Sequence, residues 1–177
     1  MPSTTCNLLI LGVIMKRNKL FPFAALAAVM LLVGACSDDK NPTKVPEFGS
    51  VEGRVTFDGT WPSSGDVQVS IWASWPPAGP PSGATSPIAS GSTIYDYRLE
   101  GLSKGTYKAL TVGWRDPANP AGARVLGIYL NDPNNTGVTV DPTTHAPSFA
   151  TPLTIDISNA KTDFTGLNVK ADLALAQ

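Results

Sequence analysis

Residues 49–177 predict an all-β domain, an antiparallel β-sandwich of about seven to eight strands. Three observations predict it. Apolar residues recur at every second position in one short segment after another. Those segments are separated by Gly, Pro, Asn and Asp, and no long stripe of 3.6-residue period competes with them after residue 36.

Each strand is read from its parity. Val51, Gly53, Val55 and Phe57 share a face in the first segment, and Asp58-Gly59 closes it with a tight-turn signal. Val67, Val69 and Ile71 alternate with Gln68 and Ser70 in the second. Tyr95, Tyr97 and Leu99 alternate with Asp96 and Arg98; Leu110, Val112 and Trp114 follow, then Leu126, Ile128 and Leu130. Val138 and Val140 mark a short strand. Leu153, Ile155 and Ile157 mark another, and Leu167, Val169 and Ala171 the last. Between them, residues 75–92 (WPPAGPPSGATSPIASGS) predict a long loop, because proline has no N–H to give to a ladder. Two further loops are predicted at 115–123 and 141–152. Long loops on a compact sandwich are functional or mobile.

The stretch Tyr97-Arg98-Leu99-Glu100-Gly101-Leu102-Ser103-Lys104-Gly105-Thr106-Tyr107 has a strand, a Gly-Leu step and a Gly-x-Tyr opening the next strand. It resembles the turn of transthyretin-like, or carboxypeptidase regulatory-like, domains. Gly53-Arg54-Val55 followed by Val67-x-Val69 is similar to their first two strands. The likeness covers about residues 49–115 and weakens beyond. It implies a fold of some seven strands and an ancillary binding or structural role, without peptidase activity. Gly105 allows a backbone conformation closed to other residues. Tyr107 is then expected to turn its hydroxyl back to an upstream carbonyl, as at a tyrosine corner.

The 177 residues allow one such domain plus a targeting segment. Met15-Lys16-Arg17-Asn18-Lys19 is a positive n-region, and the apolar run Leu20 to Ala35 is short for a membrane span of about 20 residues. Residues 1–14 place apolar side chains ahead of the charges, so Met15 is read as the true start. Leu32-Val33-Gly34-Ala35-Cys36 resembles the lipobox of bacterial lipoproteins. The resemblance implies a signal peptide over 1–35, cleavage between Ala35 and Cys36, and diacylglyceryl transfer to the Cys36 thiol, often with N-acylation. An ordinary secretory signal and an uncleaved anchor are the alternatives. Ser37, where an aspartate would favour retention at the inner membrane, implies the outer membrane, and Asp38-Asp39 is similar to acidic tags for surface export. Residues 36–48 then comprise the lipidated cysteine and a flexible, proline-containing tether. With Cys6 removed and Cys36 acylated, the mature domain holds no internal disulfide and relies on its core, which a domain of about 130 residues can supply.

Charge narrows the partners. Three of the 13 lysines and arginines precede residue 36 and all 14 acids follow it, leaving a net charge of −4 on the rest. Nucleic acid is not an expected partner of such a surface. The expected partners are a membrane, through the lipid, and a protein or glycan ligand.

Catalysis is not expected. The lone histidine, His145, lies in a loop; no Gly-x-Ser-x-Gly elbow, His-Glu-x-x-His, cysteine pair or phosphate-cradling glycine loop is present. Asp96 and Glu100 make a carboxylate pair on paper, but Asp96 has the polar parity of its strand. Asp132-Pro133-Asn134-Asn135-Thr136-Gly137 matches the first half of a calcium loop, with Asp132, Asn134 and Thr136 as candidate ligands. Thr143 stands where the loop needs a bidentate glutamate, and an Asx-rich turn explains the same residues. Trp72 and Trp75 are candidates for a stacking platform toward sugar rings; the alternative is that proline or sheet covers them. Trp61 and Trp114 read as structural. The sequence therefore predicts a membrane-anchored, non-enzymatic binding or structural lipoprotein without a cofactor. A carbohydrate-binding lipoprotein is the alternative, and a hydrolase or enzyme accessory subunit the third reading.

Overall fold

A computed structural model describes residues 45–176. The signal segment, the cleavage site at Ala35 and the candidate lipidation site Cys36 lie outside the described residues. Among those described, no helix is long and apolar enough to cross a membrane.

Among the described residues twelve strands follow one another: β1 (Phe48–Asp58), β2 (Asp66–Trp72), β3 (Gly83–Ala84), β4 (Ile94–Ser103), β5 (Gly105–Tyr107), β6 (Ala109–Asp116), β7 (Asn119–Ile128), β8 (Val138–Val140), β9 (Pro147–Phe149), β10 (Ile155–Ile157), β11 (Asp163–Phe164) and β12 (Val169–Asp172). A 3-10 turn, Leu173–Ala176, follows the last. The fold is an all-β sandwich. One sheet centres on β1, flanked along one edge by antiparallel β4 and along the other by β11 and then β12. The other sheet runs β3-β2-β6-β7, antiparallel throughout. Two-stranded ribbons, β5 with β10 and β8 with β9, complete it.

The eight segments chosen by parity correspond to β1, β2, β4, β6, β7, β8, β10 and β12. Their inward residues make the core: Val51, Val55, Val67, Val69, Ile71, Leu110, Val112 and Leu126 are fully or almost fully buried. Full burial of such a side chain contributes about 1.5–3 kcal/mol, so this core holds the domain without a staple. Among the described residues every buried side-chain nitrogen and oxygen has a hydrogen-bond partner.

Three features differ from the sequence expectation. First, β11 and β12 run parallel to β1, so that sheet is mixed rather than purely antiparallel; alternation carries no information about strand direction. Second, the 75–92 loop is partly paired: Ser82, Thr85 and Ile88 donate backbone N–H groups to Ile71, Val69 and Val67. Its prolines are passed over and the residues between them follow β2. Third, the 115–123 loop is a hairpin tip, with Asp116 paired to Asn119 and its carboxylate accepting the Ala118 N–H.

The expected tyrosine corner is present. Tyr107 donates its hydroxyl to the Ser103 carbonyl at 2.7 Å, and Gly105 between them has φ +153°. Tyr107→Phe removes one partly buried hydrogen bond, and we expect it to lower stability by about 1 kcal/mol. A denaturant midpoint unchanged from wild type would show that the bond contributes nothing. Tyr97 makes a second such bond, to the Leu167 carbonyl, and burial pushes its pKa upward.

Candidate functional site

An apolar concavity lies between the β8–β9 ribbon and the end of the sandwich. The ribbon has two unlike faces because side chains alternate along a strand. Val138 opposes Phe149 and Val140 opposes Pro147 on one face; Thr139 opposes Ser148 on the other, their hydroxyl oxygens 2.6 Å apart. The apolar face turns toward Ala123, Arg124 and Val125 of β7 and toward Ala174 and Leu175 of the 3-10 turn. The groove between them has a volume of about 660 Å³, within the range of small-ligand pockets. Val140 and Phe149 remain 41% and 39% exposed, so the apolar face is incompletely covered.

The turn that closes the ribbon is built by Asp141. Its carboxylate accepts the N–H groups of Thr144 and Thr143 at 2.8 and 2.7 Å, and these bonds hold its pKa below the ordinary aspartate value. The His145 N–H returns to the Asp141 carbonyl, and His145 adopts φ +56°, a left-handed conformation uncommon outside glycine. That conformation brings His145 to the groove wall.

One permanent cation lines the groove, Arg124. It donates to the carbonyls of Gly122 and Ala123, and among the described residues no carboxylate pairs with it. No acid is among the lining residues, nor any serine or cysteine beside His145. The wall is therefore apolar with a positive rim.

The other candidate residues are dispersed. Trp72 is half-buried on the outer face of β2 and donates its indole N–H to Thr111 at 2.9 Å. Trp75 packs edge-on against Phe149, 5.7 Å between ring centres, beside a cleft of about 400 Å³ with Lys108, Thr151 and Thr154. Phe149 thus separates Trp75 from the groove. Trp61 packs at a tilt against Phe57, 5.1 Å between ring centres, and donates to the Ser92 carbonyl, and Trp114 donates to the Ser64 carbonyl, both as structural residues.

Asp132, Asn134 and Thr136 lie in the connection from β7 to β8. There Asp132 accepts the Asn134 N–H and Asn135 accepts the Gly137 N–H, the bonds of an Asx-rich turn. Among the described residues no three His, Cys, Asp or Glu side chains cluster as metal ligands. Asp96 and Glu100 are engaged by Arg54 and Arg98, at 2.7 and 2.6 Å.

Sequence reasoning did not find the groove. Val138 and Val140 signalled a strand, but Pro147 to Phe149 read as loop, and the facing wall comes from distant segments. No family model, curated protein or solved structure matches this chain.

Proposed function

We propose that this chain is a lipoprotein of the bacterial cell envelope, cleaved before Cys36 and held at the outer membrane by acyl chains on that residue. Its sandwich is a transthyretin-like, non-enzymatic binding module. The likeness is supported by the Tyr107 corner and by the four-stranded sheet packed against β1 and β4. The observation that carries the binding role is the groove, an incompletely covered apolar wall with Arg124 unpaired at its rim. Charge complementarity to Arg124 supports, as its occupant, a small molecule with an apolar body and one carboxylate.

Titration calorimetry with decanoate tests the reading. Decanoate is expected to bind, and decanol, which has the same chain without the charge, to bind about tenfold more weakly, a loss of about 1.4 kcal/mol. Val140→Asp and Arg124→Glu lie on exposed positions and should each weaken decanoate at least as much without unfolding the domain. Absence of decanoate binding would overturn the groove as the site. Equal binding of decanol would remove the role given to Arg124.

A second reading is carbohydrate binding at Trp75, favoured by the polar side chains of Lys108, Thr151 and Thr154 beside its ring. It predicts that glycans, rather than decanoate, perturb tryptophan fluorescence, and that Trp75→Ala abolishes the response.

A further inference from the structure

Among the described residues, β4 presents a ten-residue strand edge with no ladder partner. Among the described residues, β4 pairs along β1 only, from Phe48↔Ser103 to Thr56↔Ile94. The hydrogen-bond phase of this ladder is fixed by its neighbours. Phe57 donates to the Thr93 carbonyl, so alternation places Tyr95, Tyr97 and Leu99 with their backbone groups toward β1. The same phase turns the Arg54 N–H and the Glu52 carbonyl away from β4. These groups indeed bond Asn168 and Leu167 on the other side. The backbone N–H and C=O groups of Ile94, Asp96, Arg98 and Glu100 therefore point out of the sheet's free edge. Such a row is a template for another strand.

The side chains along that edge select the strand. Asp96, Arg98 and Glu100 stand on the outer face with alternating sign. Two copies of β4 pairing antiparallel about a two-fold axis must keep inward residues opposite inward ones, because a one-residue slip exchanges the faces. An axis through Asp96 or Glu100 opposes that carboxylate to its own copy, and one through Tyr95 opposes Asp96 to Ile94 and makes no ion pair; three registers remain. An axis through Arg98 sets Arg98 against Arg98 and Asp96 against Glu100, all like charges. An axis through Leu99 extends pairing into Gly101, where φ is +69° and the strand is no longer regular. An axis through Tyr97 sets Asp96 opposite Arg98 of the second copy twice, inside the regular stretch, and sets Ile94, 53% exposed, opposite Glu100. This register alone matches charge and geometry.

We infer that β4 is a homodimerisation edge, pairing antiparallel with β4 of a second copy about Tyr97 to make one sheet across two sandwiches. Backbone hydrogen bonds join the copies, as in other strand-addition complexes. The charges fix the register: the ion pairs Arg54–Asp96 and Glu52–Arg98 already flank the edge and become one network across it. Single exposed pairs stabilise little, but opposed like charges exclude the wrong registers. The inference is independent of what the groove binds.

Sedimentation equilibrium of the full mature protein in mild detergent, across about 1 to 300 µM, tests it. The wild type is expected to rise from one copy toward two. Two double variants keep a local ion pair while reversing the edge: Arg54→Glu with Asp96→Lys, and Glu52→Lys with Arg98→Glu. Each alone should stay monomeric with an unchanged far-UV spectrum, and their equimolar mixture should dimerise. A wild type that remains monomeric throughout, or variants that dimerise as well as it does, would overturn the inference. Should either variant fold poorly, the Asp96→Cys and Arg98→Cys proteins supply a second test. Mixed and oxidised, they should give a disulfide-linked peptide joining positions 96 and 98, since opposed residues of such a pair lie about 5.5 Å apart between Cα atoms. Failure to form that link, or equal linkage of each variant to itself, would contradict the Tyr97-centred register.

Discussion

Replacing Gly127 by alanine is expected to cost about 3 kcal/mol of stability, a large loss for a single added methyl group. Gly127 sits in β7 where β12 crosses close behind it. A Cβ there would collide with the Lys170 carbonyl and press on the Ala171 Cα. Those are backbone atoms, so no side chain can rotate away. β12 is also pinned on its far side by β1, from Val55↔Val169 to Asp58↔Asp172, and cannot retreat without breaking that ladder. Gly53 plays the same part in β1, against the Leu167 carbonyl. The control is Gly113→Ala in the same sheet, whose Cβ would meet the Arg124 carbonyl at an ordinary 3.4 Å. We expect its cost to stay within about 1 kcal/mol. Denaturant midpoints that coincide for Gly127→Ala and Gly113→Ala would contradict the close approach of β12.

The second large effect is on location. Cys36→Ala should abolish fatty-acid labelling and the mature membrane-bound form together. Each buried methylene contributes roughly 0.8 kcal/mol, so losing two or three acyl chains moves the partition by many orders of magnitude. The described domain offers no apolar helix to replace them. Membrane attachment that persists in the variant, with no label in the wild type, would contradict lipidation.

Where the sequence was informative, it was so for a physical reason. A strand with one buried face writes its period into the chain, and Val67, Val69 and Ile71 or Val51, Val55 and Phe57 carry that record. The Tyr107 corner was legible because Gly105 and Tyr107 are neighbours in sequence. The strands missed, β3, β9 and β11, are two or three residues long and too short to show alternation, while β5 was read as the opening of the strand that follows it. Two of them are held by longer partners, β3 by β2, where Ser70 and Ile71 pair with Ala84 and Gly83, and β11 by β1.

The parallel course of β12 was equally hidden, and so were the glycines that admit it. Gly127 and Lys170 meet only in three dimensions. The groove illustrates the same limit, because Arg124, Val140, Phe149 and Leu175 come from four separate segments. The alternating charges of β4 were visible as polar parity. Their pairing with Glu52 and Arg54 required the register to β1.

An anchored envelope sandwich stands or falls on its first mature residue. Mass spectrometry of the N-terminal peptide from the natural protein should find a chain beginning at Cys36, its sulfur carrying diacylglycerol. A peptide that retains residues 20–35, or begins at a free Cys36 thiol, would contradict it.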